Sequence, residues 1–540
     1  MIKRPFISIG LGLILATTAI ALPASRPAIA TSPAARIQAG TAEGKRALNI
    51  AQFKTAIASI TPARVAELDS ALTLAMIPDM QMLFQHSKLT SEELVKYYLW
   101  RIKRYDVDKL NSVTELNPDA LEIARQLDVE RAAGKVRGPL HGTAVLLKDV
   151  IGTGDKLHNT AGAEVLRNAR SDRDAFIVKR LRDAGVIVLG KTAMTEWHNF
   201  IAYKQVNGYS TLGGQVVNPY NKKTDPWGSS TGSSVAVVSN FATFALGAES
   251  FGSLIMPGVA NGAATLKPSM GLVSRDRLIP NMDSQDVPGP LARNTTDLAL
   301  VMDVLVATDQ NDPITIAAST APKGFAQKLD ATALRGLRIG LLPAAGPEDE
   351  AITQHIADLL TQAGAQVVPL SKQPDLVPDI FTELDPINAY GFRHGVEKYL
   401  AETHAPVKTI QEIVDFNAQN PKVRVKYGQE YLVMAAETPM TSDEYAKLTQ
   451  ASGDKARKHI DGLIAGNKLD LIAGVQFAAV FTVYYAGAGY PAAAITVGYQ
   501  PSGEPIGLVL TGKLFDDAKL LRAAYALEQA NKVWRAPKLK

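Results

Sequence analysis

The sequence predicts an α/β protein built on a layered sheet, and two observations carry that prediction. From residue 136 onward, short β-rich apolar runs alternate with stretches of helical periodicity, the pattern of strands covered by helices. The chain is also long enough and apolar enough for a large core, with 540 residues, 46% hydrophobic and 20% charged. That composition excludes a mostly disordered or fibrous chain. No internal repeat is visible.

Read from the start, Lys3 and Arg4 precede a nearly uninterrupted apolar run from Phe6 to Leu22, and Ala28-Ile29-Ala30 offers a small-residue exit. Charged start, apolar middle and A-x-A exit are the parts of a secretory signal peptide spanning residues 1–30. The protein is therefore expected to be exported, to the periplasm or the extracellular space, with an uncleaved anchor as the alternative. Lys3-Arg4-Pro5 lacks the first arginine of a twin-arginine signal. Residues 31–50, rich in Ala, Thr, Ser and Gly, read as a flexible tether, and residues 51–540 as a single domain.

Within that domain Thr90-x-x-Glu93 forms a capping box ahead of a helix with Leu94, Val95, Tyr98, Leu99 and Ile102 on one face. Thr143 to Leu147 is a buried strand, Asp174 to Ala184 a helix, and Val186 to Leu189 another strand. A Thr-, Ser-, Asp- and Pro-containing loop, Ala307 to Lys323, interrupts the alternation. Strands resume at Leu337 to Leu342 and Gln366 to Leu370. Residues 376–465 are mostly helical and polar, like a cap inserted in the sheet. Asp470 to Ile472, Ile495 to Val497 and Gly507 to Thr511 return to strand, and Ala518 to Val533 closes the chain as a helix.

Charge and special residues narrow the function. The formal charge is +4, but Lys3, Arg4 and Arg26 lie in the leader, and without them 54 basic side chains face 53 acidic ones. Such a chain has no net field to hold nucleic acid or an anionic membrane. No further apolar run reaches ~18 residues, so no stable membrane insertion is expected once the leader is removed. There are no cysteines, hence no disulfides, thiolate metal sites or cysteine nucleophiles. The eight histidines include no H-E-x-x-H and no pair at ligand spacing, so no metal is expected. His141, in a Pro-Leu-His-Gly turn, and His198, beside Trp197 in an apolar helical stretch, read as packing residues. Asp225 and Asp286 read as exposed loop residues.

Two motifs fail on physical grounds. Gly185-Val186-Ile187-Val188-Leu189-Gly190-Lys191-Thr192 matches the letters of a P-loop, but its four central residues are large and apolar. They form a strand rather than a phosphate-wrapping turn, which leaves Lys191 a structural role. Gly228-Ser229-Ser230-Thr231-Gly232 matches G-x-S-x-G, yet the preceding Asn218 to Pro226 segment cannot be the buried strand that a nucleophile elbow requires. It is a loop bringing serines to the start of a helix containing Val235, Ala236, Val238 and Phe241. By itself it is equally an ordinary cap and turn.

A third feature changes the balance. Gly247-Ala248-Glu249-Ser250-Phe251-Gly252-Ser253 follows an apolar helix and ends in a serine among small residues. Backbone amides in such a turn can converge as an oxyanion hole requires. Lys148 ends the strand Val145-Leu146-Leu147. Two serine loops and a strand-end lysine are the parts of a histidine-free serine hydrolase, provided burial lowers the lysine pKa.

These residues resemble the amidase signature family. The resemblance rests on Pro139-Leu140-His141-Gly142 through Lys148-Asp149, Gly228 to Ser233, Gly252-Ser253 with Lys267-Pro268, and Gly289-Pro290-Leu291-Ala292-Arg293. Thr160-Ala161-Gly162, Gly190-Lys191-Thr192 with Glu196, Gly489-Tyr490-Pro491 and Gly503 to Leu508 add to it, so that residues 70–535 are covered in order. Asp415-Phe416-Asn417 and Tyr427-Gly428-Gln429-Glu430 resemble the branch of peptide amidases and related bacterial amidases.

The resemblance implies a large twisted mixed β-sheet covered by helices on both faces. It implies a catalytic triad of Ser253 as nucleophile, Ser229 as the cis-serine relay and Lys148 as base, with backbone N–H groups of Ser250, Phe251, Gly252 and Ser253 as oxyanion hole. It implies no cofactor and a small-molecule or peptide amide as substrate. Where the family has small residues this chain has Phe251 and Trp227, and Ile255 replaces an arginine. Phe251 is either a wall of the acyl pocket or a mark of weakened catalysis. Two further readings stay open, the glutaminase subunit of a tRNA-dependent amidotransferase and a catalytically silent binding protein. Tyr484 and Tyr485 fall where the acyl pocket could be bordered and read equally as core residues, and Ser284-Gln285-Asp286 resembles a family motif near the active face.

Overall fold

The computed structural model describes residues 43–343, 350–371, 377–475 and 479–540. The expected leader and most of the tether lie outside them. The strands, in chain order, are β1 (Val113–Leu116), β2 (Ala144–Lys148), β3 (Ile187–Thr192), β4 (Tyr209–Ser210), β5 (Gly214–Gln215), β6 (Phe244–Glu249) and β7 (Ala264–Lys267). They continue with β8 (Val287–Ala292), β9 (Arg338–Leu341), β10 (Gln366–Pro369), β11 (Leu471–Val475), β12 (Ala492–Tyr499) and β13 (Pro505–Thr511). All but the small β4–β5 hairpin join one 11-stranded sheet in the order β1-β3-β2-β6-β8-β7-β12-β13-β11-β9-β10. The sheet is mixed. The pairs β3–β2, β2–β6, β11–β9 and β9–β10 are parallel, and the other neighbours are antiparallel.

Side chains alternate across a pleated strand, and the cores follow that alternation. Val145 and Leu147 of β2, Val188 of β3, Leu246 of β6, Leu471 and Ala473 of β11 and Leu508 and Leu510 of β13 all feed one apolar cluster. It is closed by the helices Phe176–Asp183, Thr295–Leu305 and Asp517–Ala530. The opposite side of β2 and β3, through Ala144, Leu146, Ile187 and Leu189, packs against helix Ser91–Arg101 and part of helix Thr231–Val238. Ile472, Ala492, Ala494 and Val509 on that side meet helix Ile255–Asn261 and the end of helix Ser442–Asn467. Both faces are therefore buried, as near-continuous apolar strands require. Lys148 has the parity of Ala144 and Leu146, so it projects on the side of helix Thr231–Val238.

Local sequence accounts for most elements. Thr90 accepts from Glu93 N–H at 3.1 Å, but the Glu93 carboxylate turns to Arg64 at 2.7 Å instead of closing the capping box. The expected strands and helices from Thr143 to Leu189 and from Leu337 onward appear within a few residues of their predicted limits. All described elements from Val377 to Asn467 are helical. One correction concerns β6, and β8 is a strand that no sequence expectation covered. Gly247 to Glu249 are the end of strand β6 and only Ser250 to Ser253 form the turn, so a strand and not a helix leads into it, the apolar helix having ended at Val238. Strand β8 contains Pro288 and Pro290 and still lies between β6 and β7. The two prolines occupy alternate positions, so their missing N–H groups face one neighbour only. Pairing to β6 runs from Val287 to Leu291, whereas pairing to β7 uses only Leu291 and Ala292.

Helix Thr231–Val238 reaches β3 because Gly232 has no side chain. A Cβ there would meet the carbonyl of Ser112 at 2.5 Å and the amide nitrogen of Ala193 at 2.7 Å. Gly232→Ala is expected to destabilise the fold by about 1–3 kcal/mol through this overpacking, read as a lowered urea midpoint with an unchanged slope.

Candidate functional site

The parallel strands β2 and β6 are neighbours with Leu147 opposite Leu246, so their C-terminal ends lie side by side. In sheets of this kind the crevice beyond such ends is where ligands bind. Lys148 ends β2 and Glu249 ends β6. The loop before helix Thr231–Val238 closes over them, and Ser230 N–H donates to the carbonyl of Ser253 at 3.0 Å. That bond ties the two serine loops together.

Lys148 is completely buried. Its Nζ donates to Ser229 Oγ at 2.7 Å and to the Ala248 carbonyl at 3.0 Å, and it stands 3.4 Å from His198 Nδ1. Burial pushes its pKa down to about 7, against the opposing pull of Asp286 and Glu249. A substantial fraction of neutral amine near pH 7 is the condition for a lysine base. Ser229 is also fully buried, while Ser253 retains 7% exposure. Of the three, Ser253 alone is open to an incoming molecule.

The Ser229 loop is held at several points. The Gly228-Ser229 peptide is cis, and Trp227 has a left-handed φ of 54°. Trp227 N–H donates to Asp225 at 2.7 Å, and Thr231 Oγ1 donates to the Trp227 carbonyl at 2.5 Å. Thr195 N–H donates to the Ser229 carbonyl at 3.2 Å. Asn261 Nδ2 reaches the Pro226 carbonyl at 2.7 Å and Ser234 Oγ at 3.0 Å. Gly228 is required by close approach, because a Cβ there would collide with Thr195 Oγ1.

The Ser250 to Ser253 turn is held by two buried carboxylates. Glu249 Oε2 accepts from Leu254 N–H at 2.7 Å and Ile255 N–H at 3.0 Å. Asp286, expected to be exposed, is 7% exposed. It accepts from Ser250 Oγ at 2.5 Å and from the N–H groups of Asn281 at 2.7 Å and Met282 at 3.1 Å. Burial lifts its pKa to about 6. Its location in the Ser284-Gln285-Asp286 turn gives no apolar periodicity to betray burial, which explains the error. Asp225 is exposed, as expected.

His198 differs from expectation too. It is buried, but Trp197, His198 and Asn199 have left-handed φ values of 49°, 58° and 75°, so the segment is no regular helix. No periodicity could have foretold that it faces Lys148. His141 does behave as a packing residue, with Nε2 3.0 Å from the Leu127 carbonyl. Lys191 is buried within β3 and donates to the Ile151 carbonyl and to Asn159. Its neighbours are those of a structural lysine. Phe251 packs against a cluster that includes Leu384, Val483 and Tyr484. Tyr485 is fully buried, and burial together with Glu249 pushes its pKa well above 10. A small cavity lined by Gln285, Leu384, Lys455, Val483 and Tyr484 opens next to Asp286 in the chain. Among the described residues no three His, Asp or Glu side chains gather as a metal would need, and no helix is long and apolar enough to cross a membrane.

A lysine whose pKa falls on folding costs stability wherever the unfolded lysine is charged. Between about pH 7 and the unfolded value near 10.4 the unfolded chain binds more protons, so this group makes stability rise with pH. Lys148→Met is therefore expected to raise the urea midpoint at pH 7, with the gain shrinking by pH 9.

Comparison with known proteins places the chain in a family. A family model described as Amidase matches residues 93–521. A probable amidase of Arabidopsis thaliana is 34% identical, over 89% of this chain and 95% of that one. The crystal structure of an amidase family protein from Bacillus anthracis str. Ames superposes with a TM-score of 0.86 at 33% identity, covering 91% of this chain and 97% of the other. The native peptide amidase from Stenotrophomonas maltophilia does so with a TM-score of 0.81 at 36% identity, covering 86% and 99%. With the match spanning both serine loops, the lysine strand and the cap helices, this chain belongs to the amidase family, the hydrolases of carbon–nitrogen bonds whose fold it shares.

Proposed function

We propose that this chain is an exported serine amidohydrolase that cleaves linear carboxamides through Ser253, Ser229 and Lys148. The observation that carries the reading is the 2.7 Å contact between Lys148 Nζ and Ser229 Oγ, made by a buried lysine with a pKa near 7. Ser253 Oγ attacks the amide carbon as its proton moves to Ser229 Oγ and the Ser229 proton moves to Lys148. The oxyanion is received by backbone N–H groups of Ser250, Phe251, Gly252 and Ser253. The Gly252 carbonyl is turned inward to Met256 N–H at 2.7 Å, which aims the N–H of the same trans peptide, that of Ser253, the opposite way. The C–N bond breaks as the proton returns through Ser229 to the leaving nitrogen, releasing ammonia or an amine. Water then attacks the Ser253 ester by the same relay and frees the acid.

The name of the peptide amidase relative favours a C-terminally amidated peptide as substrate. The apolar Phe251 side chain and the cavity lined partly by Leu384, Val483 and Tyr484 suit a substrate with an apolar acyl part. A second reading is supported by relatives named as A subunits of glutamyl-tRNA(Gln) amidotransferase, and it predicts glutaminase activity with a partner subunit. The signal-peptide pattern of residues 1–30 favours export instead.

Ammonia release is the test, on a panel of amidated peptides, aliphatic and aryl amides, glutamine and asparagine. Turnover of amides other than glutamine is expected, and Ser253→Ala should abolish it. Glutamine as the sole substrate would favour the amidotransferase reading. Silence on the whole panel and on N-substituted amides and esters would favour a binding protein. Lys148→Ala should remove turnover and Ser229→Ala most of it, by roughly 10³-fold or more. Because the amine must be neutral, kcat/KM is expected to rise with pH up to about 7 and then level off. A flat profile down to pH 5 would contradict the lysine as base.

A further inference from the structure

We infer that His198 is a positioning residue for the base: its neutral imidazole fixes the direction of the Lys148 lone pair. This rests on Lys148 acting as base, as proposed above. His198 Nε2 lies 2.9 Å from the Ile279 carbonyl. A carbonyl only accepts, so Nε2 carries the proton and Nδ1 is left as an acceptor. That acceptor faces Lys148 Nζ at 3.4 Å. Burial and the adjacent Lys148 hold the imidazole pKa well below 6.5, in keeping with a ring that stays neutral.

Around Nζ stand three partners, Ser229 Oγ, the Ala248 carbonyl and His198 Nδ1. A neutral amine has two N–H bonds and one lone pair. The Ala248 carbonyl and His198 Nδ1 can only accept, so they take both N–H groups. The lone pair is then left directed at Ser229 Oγ, the one partner with a proton to give. When that proton arrives, the ammonium has three N–H bonds and three acceptors. Without His198 Nδ1 the amine is free to rotate, donate to Ser229 and aim its lone pair elsewhere.

The backbone holds the ring in this place. Three consecutive left-handed residues are costly, and they are fixed by Trp197 N–H to the Ala161 carbonyl at 3.0 Å and Phe200 N–H to the Trp197 carbonyl at 2.9 Å. Trp197 itself packs edge-on against Phe392 at 5.8 Å. The other charges acting on Lys148 are Asp286, at the start of β8, and Glu249, at the end of β6, and neither is among its hydrogen-bond acceptors.

The test follows inactivation of the full chain by a fluorophosphonate, which needs no knowledge of the natural amide. In that reaction Ser253 Oγ bonds to phosphorus, the P–F bond breaks, fluoride leaves and the serine proton passes through Ser229 to Lys148. His198→Leu fills the volume without an acceptor, and His198→Asn places a carboxamide oxygen where Nδ1 was. His198→Ala replaces the Leu variant if that protein fails to fold. The non-accepting variant is expected to inactivate roughly 10- to 100-fold more slowly at pH 8. Its acid limb should shift to lower pH, because the ammonium has lost an acceptor. The Asn variant should recover most of the rate and the original limb. A non-accepting variant with the native rate and limb overturns the inference, as does an Asn variant no faster than it. Lys148→Ala serves as the reference: rapid labelling there would refute the lysine base itself, whereas a dead Lys148→Ala beside a native-like His198→Leu refutes only the role of His198.

Discussion

The site depends on one uncomfortable burial. Lys148 lies at the end of a central strand with no exposed surface, and desolvation brings its pKa to about 7. Everything nearby is arranged to satisfy an amine that can hold or release a proton. Acceptors surround it, while the acidic groups, Glu249 and Asp286, are engaged with backbone N–H groups and a serine hydroxyl. A carboxylate in direct contact would have locked the lysine as a cation. The fold instead keeps the negative charge one shell away, where it supports the turn carrying Ser253 and tempers the loss of the ammonium form.

The sheet makes this possible by its mixture of directions. Parallel β2 and β6 bring Lys148 and the Ser253 turn to a common edge, and antiparallel β8 then returns alongside β6 with Asp286 just before its first residue. The loop before helix Thr231–Val238 is fastened to β6 and to the turn that follows it through Ser230, whose Oγ donates to the Ala248 carbonyl at 3.1 Å and whose N–H donates to the Ser253 carbonyl at 3.0 Å. Lys148, Ser229 and Ser253 thus come from three segments tied to one another by hydrogen bonds, through Lys148 Nζ to Ser229 Oγ and through Ser230 N–H to the Ser253 carbonyl.

Much of this was legible in the sequence, and for physical reasons. Continuous apolar runs marked β2 and β3 because both of their faces are buried, and the failure of the P-loop pattern followed from the four apolar residues of β3. The letters around Lys148, Ser229 and Ser253 pointed to the cluster that the structure brings together, because each motif is a local constraint. The missed features are non-local. Strand β8 hides behind Pro288 and Pro290, which lie in the sheet only because their nitrogens face a stretch left unpaired by β7. Asp286 is buried by partners 4 to 36 residues away. His198 meets Lys148 across 50 residues through a left-handed backbone that no periodicity encodes.

The helices from Val377 to Asn467 leave the sheet after β10 and rejoin it at β11, and both of these strands flank β9. The excursion therefore starts and ends at one corner of the sheet, far along the strand order from β2 and β6. Yet Leu384 and Lys455 from it line the cavity beside the Asp286 turn. The cavity wall and the Lys148 cluster are thus built from separate stretches of chain, so substitutions at Leu384 or Lys455 alter the cavity while leaving the register of β2 and β6 untouched.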